Sequence, residues 1–196
     1  MANNNKKTTM GLMIHSLEIL SPEAKRDYFI YILDYGWSEP LADVIRKNFQ
    51  NLAGWASKND SAIIAGVGEI GHFDNEVLSW HSINGENAEN ILPAILITKT
   101  NPHKFREFVD ISIKKVDKDF SYILIPLKRI CKTESDVLDL MRKITKDIEE
   151  KKDLSDFQVK KELKPGLGKA IVKSVILEPN FNGLGFSFNK LRDFLR

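Results

Sequence analysis

The chain has 196 residues, 42% apolar and 29% charged, a mixture that suits one globular domain with an extension and excludes a disordered or membrane-embedded polypeptide. A formal net charge of +2 supplies no global field toward nucleic acid or an anionic membrane. The single cysteine, Cys131, excludes an intramolecular disulfide and any zinc site built on several thiolates.

Residues 1–10 are rich in Asn, Lys and Thr and lack an apolar h-region, so they read as a disordered lead rather than a secretory signal. Leu12 to Leu20 is mixed and suits either a short strand or a helix. Ser21-Pro22-Glu23 then reads as a helix start with proline in the first turn. Tyr28 to Leu33 is a continuous β-branched and aromatic run, the pattern of a strand covered on both faces. Asp34-Tyr35-Gly36 breaks it. Ser38 as N-cap, with Glu39 and Pro40 in the first turn, opens a long helix along which Leu41, Val44, Ile45, Phe49, Leu52 and Trp55 recur at helical spacing. Lys58-Asn59-Asp60 ends it.

Ser61 to Val67 reads as a second buried strand, Phe73 to Trp80 as a short helix, and 81–89 as a polar loop. Pro93 introduces a third strand, Ala94 to Thr98, stopped by Asn101-Pro102. The Lys-rich stretch beyond holds no clear helix, so the fourth strand, Tyr122 to Ile125, is expected antiparallel to the third. From Thr133 to Lys151 the apolar stripe Val137, Leu140, Met141, Ile144 and Ile148 predicts an amphipathic helix, with Thr133 and Asp136 spaced as a near capping box. No apolar run approaches the roughly 20 residues of a membrane span. With a lone cysteine, the expected compartment is the cytoplasm.

The elements run strand, helix, strand, helix, strand, strand, helix, and a right-handed crossover makes the first two core strands parallel. This is an α/β chain with a mixed sheet. Its order suits a thioredoxin-like sheet flanked by helices, or another α/β sheet of flavodoxin-like or small Rossmann-like type.

Two further segments bear on that choice. Trp37-Ser38-Glu39-Pro40-Leu41 follows the first core strand, and Ile91-Leu92-Pro93-Ala94-Ile95-Leu96-Ile97 lies about fifty residues later. With the element order over residues 12–152, these make the chain resemble the thioredoxin superfamily. The first segment is similar to that family's Trp-Cys-Gly-Pro-Cys motif, with Ser38 and Leu41 in place of both cysteines. The second is similar to the segment whose proline is cis in that family. The resemblance sets Asp34 where the family has a buried acid, although the step from Asp34 to Trp37 is shorter than usual. It implies a redox-inactive member, because dithiol exchange needs one thiolate to attack and a second to resolve, and Ser38 and Leu41 supply neither. It also implies a peptide groove lined by Trp37, Ser38, Glu39, Leu92 and Pro93. Trp37 capping its own core is the plainer alternative.

Cys131 lies between Arg129 and Lys132 near a helix N-terminus, where cations and the dipole would activate a thiol, against the simpler reading of a semi-buried small side chain. His72, Asp74, Glu76 and His81 fall within ten residues, and His72 and Glu76 would share a helix face as two ligands. No third ligand is evident, so no metal is expected. Gly166-Leu167-Gly168-Lys169 lacks P-loop spacing and reads as a turn. No cofactor is expected.

The chain thus divides into a lead (1–10), a thioredoxin-like domain (11–154) and a basic, Phe-rich C-terminal extension (155–196). From Val159 onward the extension carries a net excess of five positive charges. It holds an expected strand, Ala170 to Leu177, and a final helical turn. Phe186, Phe188, Lys190, Leu191, Arg192 and Phe194 form its interaction surface, directed at its own core or at a partner protein. Phenylalanine among basic residues also suits single-stranded nucleic acid or anionic lipid, which so modest an excess does not favour. The expected function is a protein-binding adaptor or accessory subunit of a multiprotein complex. A single-thiol enzyme or sensor using Cys131, or a nucleic-acid-associated protein using the tail, are the alternatives.

Overall fold

The computed structural model describes residues 10–34, 39–67, 72–81, 83, 91–110, 121–150, 157–162 and 173–179. Residues 1–9, and with them most of the expected lead, lie outside these. Met10 is inside, and its carbonyl accepts from the Ile63 N–H at 2.8 Å.

The described strands are β1 (Gly11–Ile14), β2 (Tyr28–Leu33), β3 (Ser61–Gly66), β4 (Ala94–Thr98), β5 (Ser121–Pro126), β6 (Phe157–Glu162) and β7 (Lys173–Pro179). The described helices are α1 (Pro40–Lys47), α2 (Phe49–Lys58), α3 (His72–Trp80), α4 (Pro102–Asp110), α5 (Leu127–Ile130) and α6 (Glu134–Glu149). The strands form one mixed sheet in the order β1-β3-β2-β4-β5-β7-β6. β3 is parallel to β1 and β2, whereas β4 is antiparallel to both β2 and β5. The first five strands, flanked by helices, have the arrangement expected of a thioredoxin-like α/β fold. β7 pairs parallel with β5 and antiparallel with β6, so the strands of the C-terminal extension continue the same sheet.

Burial follows the strand sequences. All six residues of β2 and all five of β4 are buried, as continuous apolar runs require when both faces are covered. One face carries Ile30, Ile32, Ile63, Ile95 and Ile123 against α1, α2 and α6. The other carries Phe29, Tyr31, Leu33, Leu96 and Tyr122 against α3 and α4. In α6 the whole expected stripe is buried, and Thr133 and Asp136 close a true capping box with the shorter acid.

The structure settles one open local expectation and differs from three others. Leu12 to Leu20 resolves into β1 and a short 3-10 turn, Leu17–Ile19. Ser21-Pro22-Glu23 starts no helix: the Asn101 side chain donates to the carbonyls of Ser21 and Ala24, which a helix would need for itself. The long helix after β2 is two, α1 and α2, because the Asn48 side chain turns back to the Val44 carbonyl at 2.8 Å and the backbone leaves helical geometry there. The Lys-rich stretch after β4 contains α4, with Phe105 wholly buried.

One close approach is set by a glycine. A Cβ at Gly11 would lie 2.2 Å from the Cβ of Ala53, so β1 lies directly on α2 only because position 11 has no side chain.

Candidate functional site

The C-terminal end of β2 is where the chemistry collects. Asp34 follows the strand directly and is 3% exposed. Its carboxylate is held in a two-point ion pair by Arg46 of α1, Nε to Oδ2 at 2.7 Å and Nη2 to Oδ1 at 2.9 Å. A fork-shaped guanidinium is the cation that matches a buried carboxylate in this way. The hydrogen bonding that Arg46 donates to the Asp34 carboxylate is the main reason the Arg46 pKa is raised.

A second carboxylate completes the group. Asp74, in the first turn of α3 and 6% exposed, accepts the Asp34 backbone N–H on Oδ1 at 3.1 Å. Burial, and then the negative charge of Asp34, raise its pKa to about 7. The pair is therefore unequal: one acid is tied to arginine, and the other holds or releases a proton near neutrality.

The proline expected to be cis is beside them. Leu33 pairs with Ala94 in the register of β2 and β4, and the Leu92–Pro93 peptide just before it is cis. The Pro93 carbonyl accepts from the Leu127 N–H at 2.8 Å, fixing α5 to the head of β4. Leu92 and Pro93 are themselves buried, Leu92 within the α3-side core. Glu39 is the N-cap residue of α1, makes no side-chain cap bond, and faces Lys128 of α5 at 3.5 Å. Trp37 and Ser38 lie outside the described residues.

The remaining expected sites separate. Cys131 is 2% exposed within the core between the sheet and α6. Burial, then the nearby charge of Asp136, push its thiol up to about 11, which outweighs the neighbouring cations. His72 is exposed at the start of α3. Glu76 ties α3 to the turn after β1, accepting from the Ser16 hydroxyl and the Leu17 N–H, each at 2.8 Å. His81 is wholly buried among Tyr31, Phe105 and Tyr122, with Nδ1 against the Val77 carbonyl at 2.8 Å. Burial lowers its pKa to about 4. Among the described residues no group of three or more His, Cys, Asp or Glu is placed to hold a metal ion. Phe186, Phe188, Lys190, Leu191, Arg192, Phe194 and the 166–169 turn lie outside the described residues.

Sequence reasoning named Asp34 and Asp74 separately and passed over Arg46. The available signal was an acid at the end of a buried strand with an arginine twelve residues on, in the helix that follows. A cleft of about 280 Å³ between α1, α2 and α6, lined by Val44, Ile45, Leu52, Leu138 and Met141, had no sequence signal. No helix among the described residues is long and apolar enough to cross a membrane.

No family model matches the chain, and no curated protein or solved structure matches it.

Proposed function

We propose that this chain is a protein-binding module: a redox-inactive thioredoxin-like domain that acts as an adaptor or accessory subunit. The observation that supports it most is the contrast between the thiol and the proline loop. The only thiol is buried with a pKa of about 11, a poor nucleophile at neutral pH. The Leu92–Pro93 segment and the end of β2 nevertheless stand side by side, and the Asp34–Arg46 ion pair directly follows β2. A domain keeping that layout without usable thiols has recognition left to perform, and the segment Trp37-Ser38-Glu39 that leads into α1 is the proposed docking surface. The burial of Cys131 weighs against the single-thiol alternative.

The test is purification of the tagged full chain from its native host, with identification of any protein recovered in near-stoichiometric amount and reconstitution of that complex from pure components. Removal of residues 180–196 is the suitable tail deletion, since cutting at 154 would also remove β6 and β7 from the sheet. A reconstituted complex weakened by Trp37→Ala or by the tail deletion supports the reading. A chain that binds no protein, or a complex indifferent to both changes, sinks it.

A further inference from the structure

The two edges of the sheet differ. At one edge, β6 carries Lys160 and Lys161 and a register shift between Val159 and Lys161, two devices that discourage pairing with another strand. At the other edge β1 reads Gly11-Leu12-Met13-Ile14, without charge, proline or bulge. Among the described residues no strand pairs with its outer side.

The carbonyls of Met10 and Ile14 accept from Ile63 and Val67 of the β3 side, so in the alternation of a parallel ladder the backbone groups of Gly11 and Met13 face outward. The Gly11–Ala53 approach seats β1 on α2, and Glu76 fixes the turn that follows the strand. Met13, on β1, is 47% exposed, and Val67, just past the neighbouring β3, is 39% exposed. Met13 pairs with Ala65 in register, and Val67 is two residues further along, so the two share a face of the sheet.

The sequence contains a segment of matching chemistry. Leu184, Phe186 and Phe188 alternate with Gly185 and Ser187, an apolar period of two with small residues between. This segment cannot reach the β1 edge of its own chain. A strand added to β1 would lie six strand spacings from β7, about 29 Å at about 4.8 Å each. The five residues from Pro179 to Leu184 span about 17 Å when fully extended.

We infer that residues 184–188 of one copy add as a strand to the β1 edge of a second copy, setting Leu184, Phe186 and Phe188 on the face that exposes Met13. Donor and acceptor are different surfaces, so the contact is head-to-tail and each pair so formed still presents one free donor and one free acceptor for further copies. The inference shares with the proposed function only the premise that the tail binds protein. It concerns a surface other than the one proposed at residues 37–39.

The test is sedimentation velocity of the full chain over a concentration series, with Met13→Lys as an edge-blocked variant and Phe186→Asp/Phe188→Asp as a tail-blocked one. The wild type is expected to grow beyond its 22.4 kDa monomer with concentration. Each variant alone should remain monomeric with an unchanged near-ultraviolet spectrum. An equimolar mixture of the two should form a dimer and stop, because only one donor and one acceptor remain. A wild type that stays monomeric throughout overturns the inference, whatever the Trp37→Ala result. So does a tail-blocked variant that still dimerises alone, which would mean a symmetric β1–β1 contact, or a mixture that fails to associate.

Discussion

The backbone N–H of Asp34 donates to the carboxyl of Asp74 at 3.1 Å, joining the end of β2 to the first turn of α3 across forty residues of sequence. The same Asp34 binds Arg46 through its side chain, so one residue connects the sheet to helices on both of its faces. Both carboxyls are buried, and the energetic consequences have definite signs.

Asp74 has a folded pKa of about 7 against an ordinary 3.8. An acid whose pKa is raised by folding favours the folded state most at low pH, and that contribution is lost as pH rises from about 4 through about 7. Asp74→Asn keeps an oxygen for the Asp34 N–H and removes the titration. At pH 8 it should be more stable than the wild type by a few kcal/mol, at about 1.4 kcal/mol per pKa unit, and the gap should close toward pH 4. Urea unfolding at the two pH values checks this, and an equal gap at both would contradict it.

His81 works in the opposite direction. Its folded pKa of about 4 lies below the ordinary 6.5, so its contribution is present above pH 6.5 and is lost as pH falls through that window toward 4. Between pH 4 and 6.5 the two groups nearly cancel, one proton against one. Removing Asp74 exposes the histidine: in Asp74→Asn, stability should fall by about 1.4 kcal/mol per pH unit on acidification through this range. In the Asp74→Asn/His81→Phe double variant the slope should flatten again.

Arg46→Met would leave the carboxylate of Asp34 buried without its cation. A loss of about 3 kcal/mol is expected, the usual cost of breaking a buried pair from one side. Adding Asp34→Asn should restore more than half of it. A double variant no better than Arg46→Met alone would show that the ion pair is not the source of the loss.

How much of this was legible in the sequence depends on how local the cause is. β2, β3, β4 and β5 are continuous apolar runs, and a buried strand needs little more than that. The capping box of α6 spans four residues and is readable for the same reason. The break at Asn48 is not, because the apolar positions from Leu41 to Trp55 keep helical spacing straight through it and only a side chain turning back to Val44 reveals it. Asn101 is harder still: its amide takes the carbonyls of Ser21 and Ala24, some eighty residues earlier, and so removes a helix that Ser21-Pro22-Glu23 announces. The site follows this division. Pro93 could be read from its neighbours, whereas the meeting of Asp34, Arg46 and Asp74 is a product of the fold.

Gly11→Ala should destabilise the chain by about 1–3 kcal/mol, since its methyl would have to push β1 away from Ala53. Ala53→Gly alone should cost up to about 1 kcal/mol as a glycine within α2. Combined with Gly11→Ala it should recover part of the loss, which thermal unfolding of the three variants would resolve. Additive losses would mean that the two positions do not collide.

The most direct measurement is a calorimetric titration of the reconstituted protein partner with the wild-type chain, Cys131→Ser and Trp37→Ala. A recognition module without thiol chemistry predicts unchanged affinity for Cys131→Ser and at least about tenfold weaker binding for Trp37→Ala, a loss of about 1.4 kcal/mol or more. Binding abolished by Cys131→Ser and untouched by Trp37→Ala would contradict it and return the function to the buried thiol.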